Sequence, residues 1–194
     1  MARPYHYIRK EQKQMATNEE YRQFTAFARI DGAIVGVMWI VSFICMVGEV
    51  ENPLLGLAGM AFGVYSLVVA GLRLRKFRNN VLGGGITFGK AMLYSIMTFF
   101  YATLLFAMAQ YVYFQFIDHG YLVNQYVALL SKPESARLAT ELYGMDAKQM
   151  IAILENTMGA MRPIDIAFQF LTLNVILSIF ASLPIAALVR RRGA

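Results

Sequence analysis

Cysteine, histidine, tryptophan and charge are all scarce in this chain of 194 residues. Cys45 is the one cysteine, which excludes an internal disulfide and a cysteine-ligated metal centre. The two histidines, His6 and His119, fall at opposite ends of any reasonable topology, so they cannot share a site in one monomer. Only 15% of the residues are charged while 58% are hydrophobic, too apolar a balance for a soluble domain that must cover itself with polar groups. The length leaves room for one bundle and no second core. The first 25 residues carry Arg3, Arg9, Lys10, Lys13 and Arg22 with no continuous apolar run before Ala26. They lack the layout of a signal peptide, so the first apolar segment is expected to remain in the mature protein.

What the chain does have is four long apolar runs, roughly Ala26–Val50, Leu54–Leu72, Ala91–Ile117 and Pro163–Val189. Each approaches or exceeds the ~20 residues that a helix needs to cross about 30 Å of hydrocarbon. The expected fold is therefore all-α, a four-helix transmembrane bundle with a helical extracytoplasmic loop between helices three and four. Its divisions are a juxtamembrane segment 1–25, helices one to three over 26–117, the loop 118–162, and helix four with a basic tail over 163–194. The 18 Lys and Arg residues are lopsided. Six precede the middle of helix one, none separates helices one and two, five (Arg73, Arg75, Lys76, Arg78, Lys90) separate two and three, and Arg190–Arg192 end the chain. Only Lys132, Arg137, Lys148 and Arg162 fall on the other side. The positive-inside bias then places both termini in the cytoplasm. The net charge of +6 is directed at anionic headgroups, worth about 1 kcal/mol per Lys or Arg, and not at nucleic acid.

Residues 1–25 read as a polar helical approach with Tyr5, Tyr7, Tyr21 and Phe24 among the charges, lying on the inner leaflet, clasping a partner, or simply solvated. Gly32 and Gly36, and Gly59 and Gly63, repeat at the four-residue spacing that lets helix backbones approach closely. The short link Gly48–Pro53 makes helices one and two a hairpin. The glycines are read as its contact seam, with a homodimer face as the alternative. Arg73–Asn80 reads as a basic turn, followed by Gly83, Gly84, Gly85 and Gly89 with Thr87 and Lys90 among them. This is not a nucleotide phosphate loop, because Lys90 is followed by Ala91. Arg75, Arg78 and Lys90 could hold a lipid phosphate, or the segment could be a plain re-entry turn.

Helix three is aromatic and long enough to tilt or project beyond a bilayer. In the outer loop, Pro133–Tyr143 reads as a helix closed by Gly144, and Asp146 with Gln149 three residues on starts a second one. Pro184 is expected to kink or loosen the end of helix four. Polar groups at membrane depth mark function or buried pairing. They are Asp31, Gln110, Asp165, Gln169 and Asn174. Asp31 could pair with Lys90 and Asp165 with Arg162, while Gln110, Gln169 and Asn174 could form a hydrogen-bonded set. No pair of deep carboxylates, His-Glu metal pattern or serine elbow is present, so no catalytic residue, metal or cofactor is assigned.

The stretch Phe77-Arg78-Asn79-Asn80, then Gly83-Gly84-Gly85-Ile86-Thr87-Phe88-Gly89-Lys90-Ala91, together with the helix spacing from Ala26 to Arg192, resembles a bacterial inner-membrane family catalogued as domain of unknown function 4199. The resemblance implies a four-helix inner-membrane protein with a helical outer loop, associated with envelope lipid or glycan machinery. It implies no reaction. The expected function is a non-enzymatic accessory or scaffold subunit that binds anionic lipid and a membrane-protein partner or a second copy. The alternatives are a small transporter or lipid-handling protein lined by Gln110, Gln169 and Asn174, or a transferase acting on a lipid phosphate.

Overall fold

A computed structural model describes the backbone of residues 3–191 and the side chains of Glu19 and residues 21–191. The charges that precede Glu19, and Arg192 of the basic tail, lie outside the described side chains. The elements are α1 (Arg3–Val47), a 3-10 turn (Gly48–Val50), α2 (Pro53–Asn80), α3 (Phe88–Phe116), α4 (Tyr121–Leu130), α5 (Pro133–Tyr143), α6 (Ala147–Leu154), a π turn (Glu155–Gly159) and α7 (Pro163–Val189). Among the described residues there is no strand, only one antiparallel bridge between Ile86 and Arg191. Four helical stretches, Tyr21–Val50, Pro53–Asn80, Phe88–Phe116 and Pro163–Val189, are long and apolar enough to cross a membrane. The protein is a multi-pass membrane protein. Leu54, Leu57 and Val64 on α2 and Phe168, Phe180 and Leu188 on α7 are exposed, as lipid-facing residues must be.

Two boundaries differ from the sequence expectation. The approach segment and helix one are a single continuous α1. Arg73–Asn80 is not a turn but the last two turns of α2, because nothing in those residues interrupts a helix begun by Pro53 and the Asn52 cap on the Leu54 amide. The break comes later. Gly83 and Gly84 take φ of 66° and 92°, and the Gly84 amide closes back on the Arg78 carbonyl at 2.9 Å. Helix α7 also runs through Pro184 without ending there.

Helix α3 is central, with α1 and α7 packed against it and α2 packed on α1. The close approaches come from glycines, but on two interfaces and not one. A Cβ at Gly32 would sit 2.6 Å from the Thr98 carbonyl oxygen and 2.7 Å from Tyr101 Cβ, and Gly36 faces Ala102 in the same way. These residues therefore seat α1 on α3. Gly59 faces the Ser42 carbonyl and Met46, and Gly63 faces the Ser42 hydroxyl, so this second pair seats α2 on α1.

The end of the bundle that carries the Lys and Arg residues is the better filled. Phe24, Phe77 and Tyr94 make an aromatic trio with centroids 4.5–5.4 Å apart. Beside them Asp31, 2% exposed, accepts from Arg73 Nε at 2.6 Å and from the Tyr94 hydroxyl at 2.6 Å. One carboxylate thus ties α1 to both α2 and α3. Arg78 is buried as well, and its Nη1 donates to the Val189 carbonyl at 2.7 Å. A cation at the negative end of α7 offsets both the helix dipole and an orphan carbonyl. Ile86 and Arg191 then exchange backbone hydrogen bonds at 2.8 and 3.0 Å, fastening the glycine loop to the residues after α7.

At the other end, α4–α6 form a cap. The buried Asp118 carboxylate accepts from the Gly120 and Leu122 amides and starts α4, a helix that sequence inspection did not anticipate. Asp146 and Gln149 make the expected capping box, and Gly144 closes α5 in the left-handed conformation.

Gly32→Ala is expected to cost about 1–3 kcal/mol through overpacking against the α3 backbone. Gly89→Ala, where an added Cβ meets nothing within 4 Å, is expected to be neutral. Equal melting temperatures for the two variants in detergent would contradict the close α1–α3 seam. Asp31→Asn removes the charge facing Arg73 and is expected to destabilise by roughly 1–3 kcal/mol, read from the same melts.

Candidate functional site

The cap end of the bundle is hollow. A cavity of about 580 Å³ lies between α1, α3 and α7 beneath α4, α6 and the π turn, within the ~300–1,000 Å³ typical of small-molecule sites. Its walls follow from helical periodicity. Phe106, Gln110 and Phe114 recur one turn apart on α3, Trp39, Ser42, Phe43 and Met46 line it from α1, and Phe170, Leu173 and Asn174 from α7. Leu122 and Tyr126 of α4, Leu154 of α6 and Met158 roof it. From the start of α7 to Asn174 is about three turns, ~16 Å at 1.5 Å per residue, so the cavity reaches roughly half the depth of a hydrocarbon core. No residue of α2 lines it, which leaves the side opposite α3 without a fourth helical wall.

The lining holds no Lys, Arg, Asp or Glu. Its polar groups are few, and most have already committed their protons. Trp39 Nε1 donates to Ser66 Oγ at 2.8 Å, Ser42 Oγ to the Gly59 carbonyl at 2.7 Å, and Asn174 Nδ2 to the Phe170 carbonyl at 2.8 Å. The Tyr126 hydroxyl donates to Glu49 Oε1 at 3.0 Å. Gln110 differs. It is 1% exposed, and its Oε1 has no hydrogen-bond partner in the protein. Leaving a buried carbonyl unpaired costs about 1–3 kcal/mol, a cost that a purely structural position would avoid with leucine.

Two further recesses adjoin the cavity. An apolar groove of about 340 Å³ on the far side of the α1–α3 contact shares Phe43 and Val47 with it. A more polar cleft of about 350 Å³, which includes Asp118 and Asn124, shares Phe114, Leu122 and Met158. The roof is held down by two phenols reaching the turn between α1 and α2. Tyr126 meets Glu49, and Tyr121 donates to Glu51 Oε1 at 2.8 Å. Glu51 first, and then desolvation, raises the Tyr121 phenol above its ordinary value of 10.0. For Tyr126, burial leads and Glu49 follows, in the same direction.

Of the polar residues expected at membrane depth, the structure brings Gln110 and Asn174 to this cavity and not the others. Gln169 is exposed on another face of α7. Asp165 forms a two-pronged pair with Arg162 at 2.7 and 2.9 Å, at the start of α7. Asp31 sits at the opposite end, paired with Arg73 and Tyr94 in place of the anticipated Lys90. The trio Arg75, Arg78 and Lys90 is divided by burial. Arg75 and Lys90 are exposed, whereas the Arg78 guanidinium is committed to the Val189 carbonyl and the Asn79 side chain. His119, with φ of 44°, is exposed beside the Asp118 cap and forms no catalytic pair with it. No group of three or more His, Cys, Asp or Glu among the described residues could hold a metal. Sequence inspection missed Ser42, Trp39 and the Tyr–Glu tethers. The available signals were a serine in mid-run and two glutamates in an otherwise uncharged turn.

Residues 31–191 match a family model described as "Protein of unknown function (DUF4199)". No curated protein and no solved structure matches the chain.

The neutral phenols are the donors to Glu49 and Glu51. Because their folded values are raised, the tether contributes fully below the ordinary 10.0 and is lost as pH climbs through the raised values. Spin labels at Leu54 and Asn124, in a Cys45→Ala background, are expected to hold one narrow distance at neutral pH. The distribution should broaden above pH 10.0 and, in the Tyr121→Phe/Tyr126→Phe double variant, at every pH. A pH-independent distance in the native protein would show that these bonds do not hold the roof.

Proposed function

The chain belongs to the DUF4199 family, a premise that brings no reaction with it, and we propose that it is a lipid-handling protein that takes an apolar chain into the cavity beneath its cap. The observation that carries this reading is a large cavity beneath the cap whose lining holds no charged side chain. The open side away from α3 supports entry from the bilayer without passage through water. The adjoining cleft near Asp118 and Asn124 supports exchange at the cap surface.

This reading stands ahead of an accessory or scaffold subunit, because a scaffold has no use for a hollow half-bundle. Both glycine pairs are occupied within the chain, which withdraws them from a homodimer face. It also stands ahead of a transferase, since Arg78, one of the three cations such a site would use, is buried against α7.

Orientation belongs to the same proposal. Arg73, Arg75, Lys76, Arg78, Lys90, Arg190 and Arg191 sit at one end, and the positive-inside bias supports an inner-membrane protein with that end cytoplasmic and the cap outside. The exposed Arg75, Lys76 and Arg190 would then face anionic headgroups, and the cavity would lie in the outer leaflet.

An alkane probe bearing a photoreactive diazirine, added to the protein in nanodiscs, is expected to cross-link at Phe106, Phe114 or Leu173. Labelling should be lost in Asn174→Trp and Leu173→Trp but kept in Phe168→Trp, on the outer face of α7. Labels spread evenly over lipid-facing α2 and α7 would remove the proposal. In intact cells and a Cys45→Ala background, an impermeant thiol reagent should modify Thr140→Cys and spare Asn79→Cys. The opposite pattern inverts the orientation.

A further inference from the structure

The cavity and the polar cleft beside it share one partition. Phe114 of α3, Leu122 of α4 and Met158 of the π turn line both recesses. Phe114 and Leu122 are buried and pack with Ile166 in one apolar cluster. Met158 is only half-buried, and its unbranched thioether chain has the rotamer freedom to swing aside. It belongs to a single π turn, an irregularity found mostly where function requires it. The cavity runs from this partition toward the middle of the membrane, whereas the cleft lies at the cap end against the first turns of α4 and α7. An amphiphile spanning the two would place its chain and its head each in the surroundings it prefers.

The charge in the cleft is one-sided. Asp118, 7% exposed, is the one ionisable side chain on its wall, and no Lys, Arg or His lines it. The Gly120 and Leu122 amides that this carboxylate accepts set it against the positive end of α4. The positive end of α7 has a carboxylate of its own, Asp165, which also closes Arg162 into a pair. The carbonyl end of α3, at Phe116, adds negative potential on the same side as Asp118. No cationic side chain on the cleft wall balances Asp118. In a recess partly shielded from water such a charge acts over several ångströms and needs no direct contact. A phosphate or carboxylate head is repelled there, and an ammonium is drawn in.

We infer that the cleft is the head-group subsite of an amine-headed lipid, whose ammonium stands in the field of Asp118 while its chain passes Met158 into the cavity. This rests on the lipid-handling reading and names the ligand class and its orientation. Asp118 sets the sign of charge that the site accepts, and Met158 governs the passage between head and chain compartments.

The test is competition against the photoreactive alkane probe in phosphatidylcholine nanodiscs at neutral pH, with hexadecylamine, hexadecanol and hexadecyl phosphate. In the native protein the amine should displace the probe at about tenfold lower concentration than the alcohol, and the phosphate should need about tenfold more. In Asp118→Asn the three should converge, with a melting temperature showing that α4 is still folded. Asn124→Lys and Asn124→Asp add a charge at the exposed rim of the cleft and leave Asp118 in place. The lysine should favour the phosphate over the amine and the aspartate should widen the native gap, so this pair decides the matter even if Asp118→Asn does not fold. In Met158→Trp, which plugs the passage, the amine should compete no better than headless hexadecane. A native protein that ranks the amine no higher than the alcohol overturns the proposal. So does an order that neither Asn124 variant changes, which would put the head outside the cleft. An amine advantage that survives Met158→Trp overturns the passage. Each of these leaves lipid handling standing, whereas a native cavity that the alkane probe does not label removes the lipid-handling reading itself.

Discussion

Asp31 is the point on which the bundle is assembled. Its carboxylate is almost fully buried, and it is made tolerable by an arginine from α2 and a tyrosine from α3. Because those donors come from two different helices, the three elements can meet in only one register and rotation. Gly32 and Gly36, one and five residues further along α1, then let the α3 backbone lie directly against it. Helix α7 is drawn in at the same end by Arg78 on the Val189 carbonyl. The charged ties between spanning helices are therefore concentrated away from the cap, while Trp39–Ser66 and Ser42–Gly59 join only α1 to α2 beside the cavity. The far half of the bundle is free to diverge, and the cavity occupies that divergence.

The membrane-spanning architecture was legible in the sequence because bilayer thickness imposes a length and a composition that few other constraints imitate. All four spans, the capping box at Asp146 and the glycine-closed helix before it could be read this way. Partner choice was not legible. Glycine spacing announces a close approach but carries no record of which helix approaches, so the sequence points the Gly32 pair at α2 when its neighbour is α3. Depth alone matches Asp31 to Lys90, whereas Arg73 reaches it because α2 continues two turns past its apolar run. Gln110 and Asn174 stand out in the sequence as costly polar residues, and Gln169 groups with them because sequence depth does not reveal that it faces away. The cavity itself left no linear trace, since it is formed by what three helices and a cap fail to fill.

The contrast between the two ends has an energetic logic. Near Arg73 the buried Asp31 carboxylate has two donors and the buried Arg78 guanidinium two acceptors, and aromatic rings pack beside them. Near Gln110 the helices border a space larger than a packed interior tolerates. Natural chains keep such expensive arrangements where something other than stability is served. The Tyr121 and Tyr126 tethers fit this division. They secure the roof to the α1–α2 turn, Tyr126 from the cavity lining itself and Tyr121 from beside it.

The bond between Arg78 and Val189 spans 111 positions in the chain. During synthesis, α1, α2 and α3 are complete long before α7 exists, and until then the Arg78 guanidinium has no helix end to neutralise. The glycine loop likewise lacks the strand-like partner that Arg191 later supplies. The loop between the second and third helices is therefore held by contacts that only the last spanning helix and the residue after it supply, and defects in that final segment should be felt as faults in this distant loop.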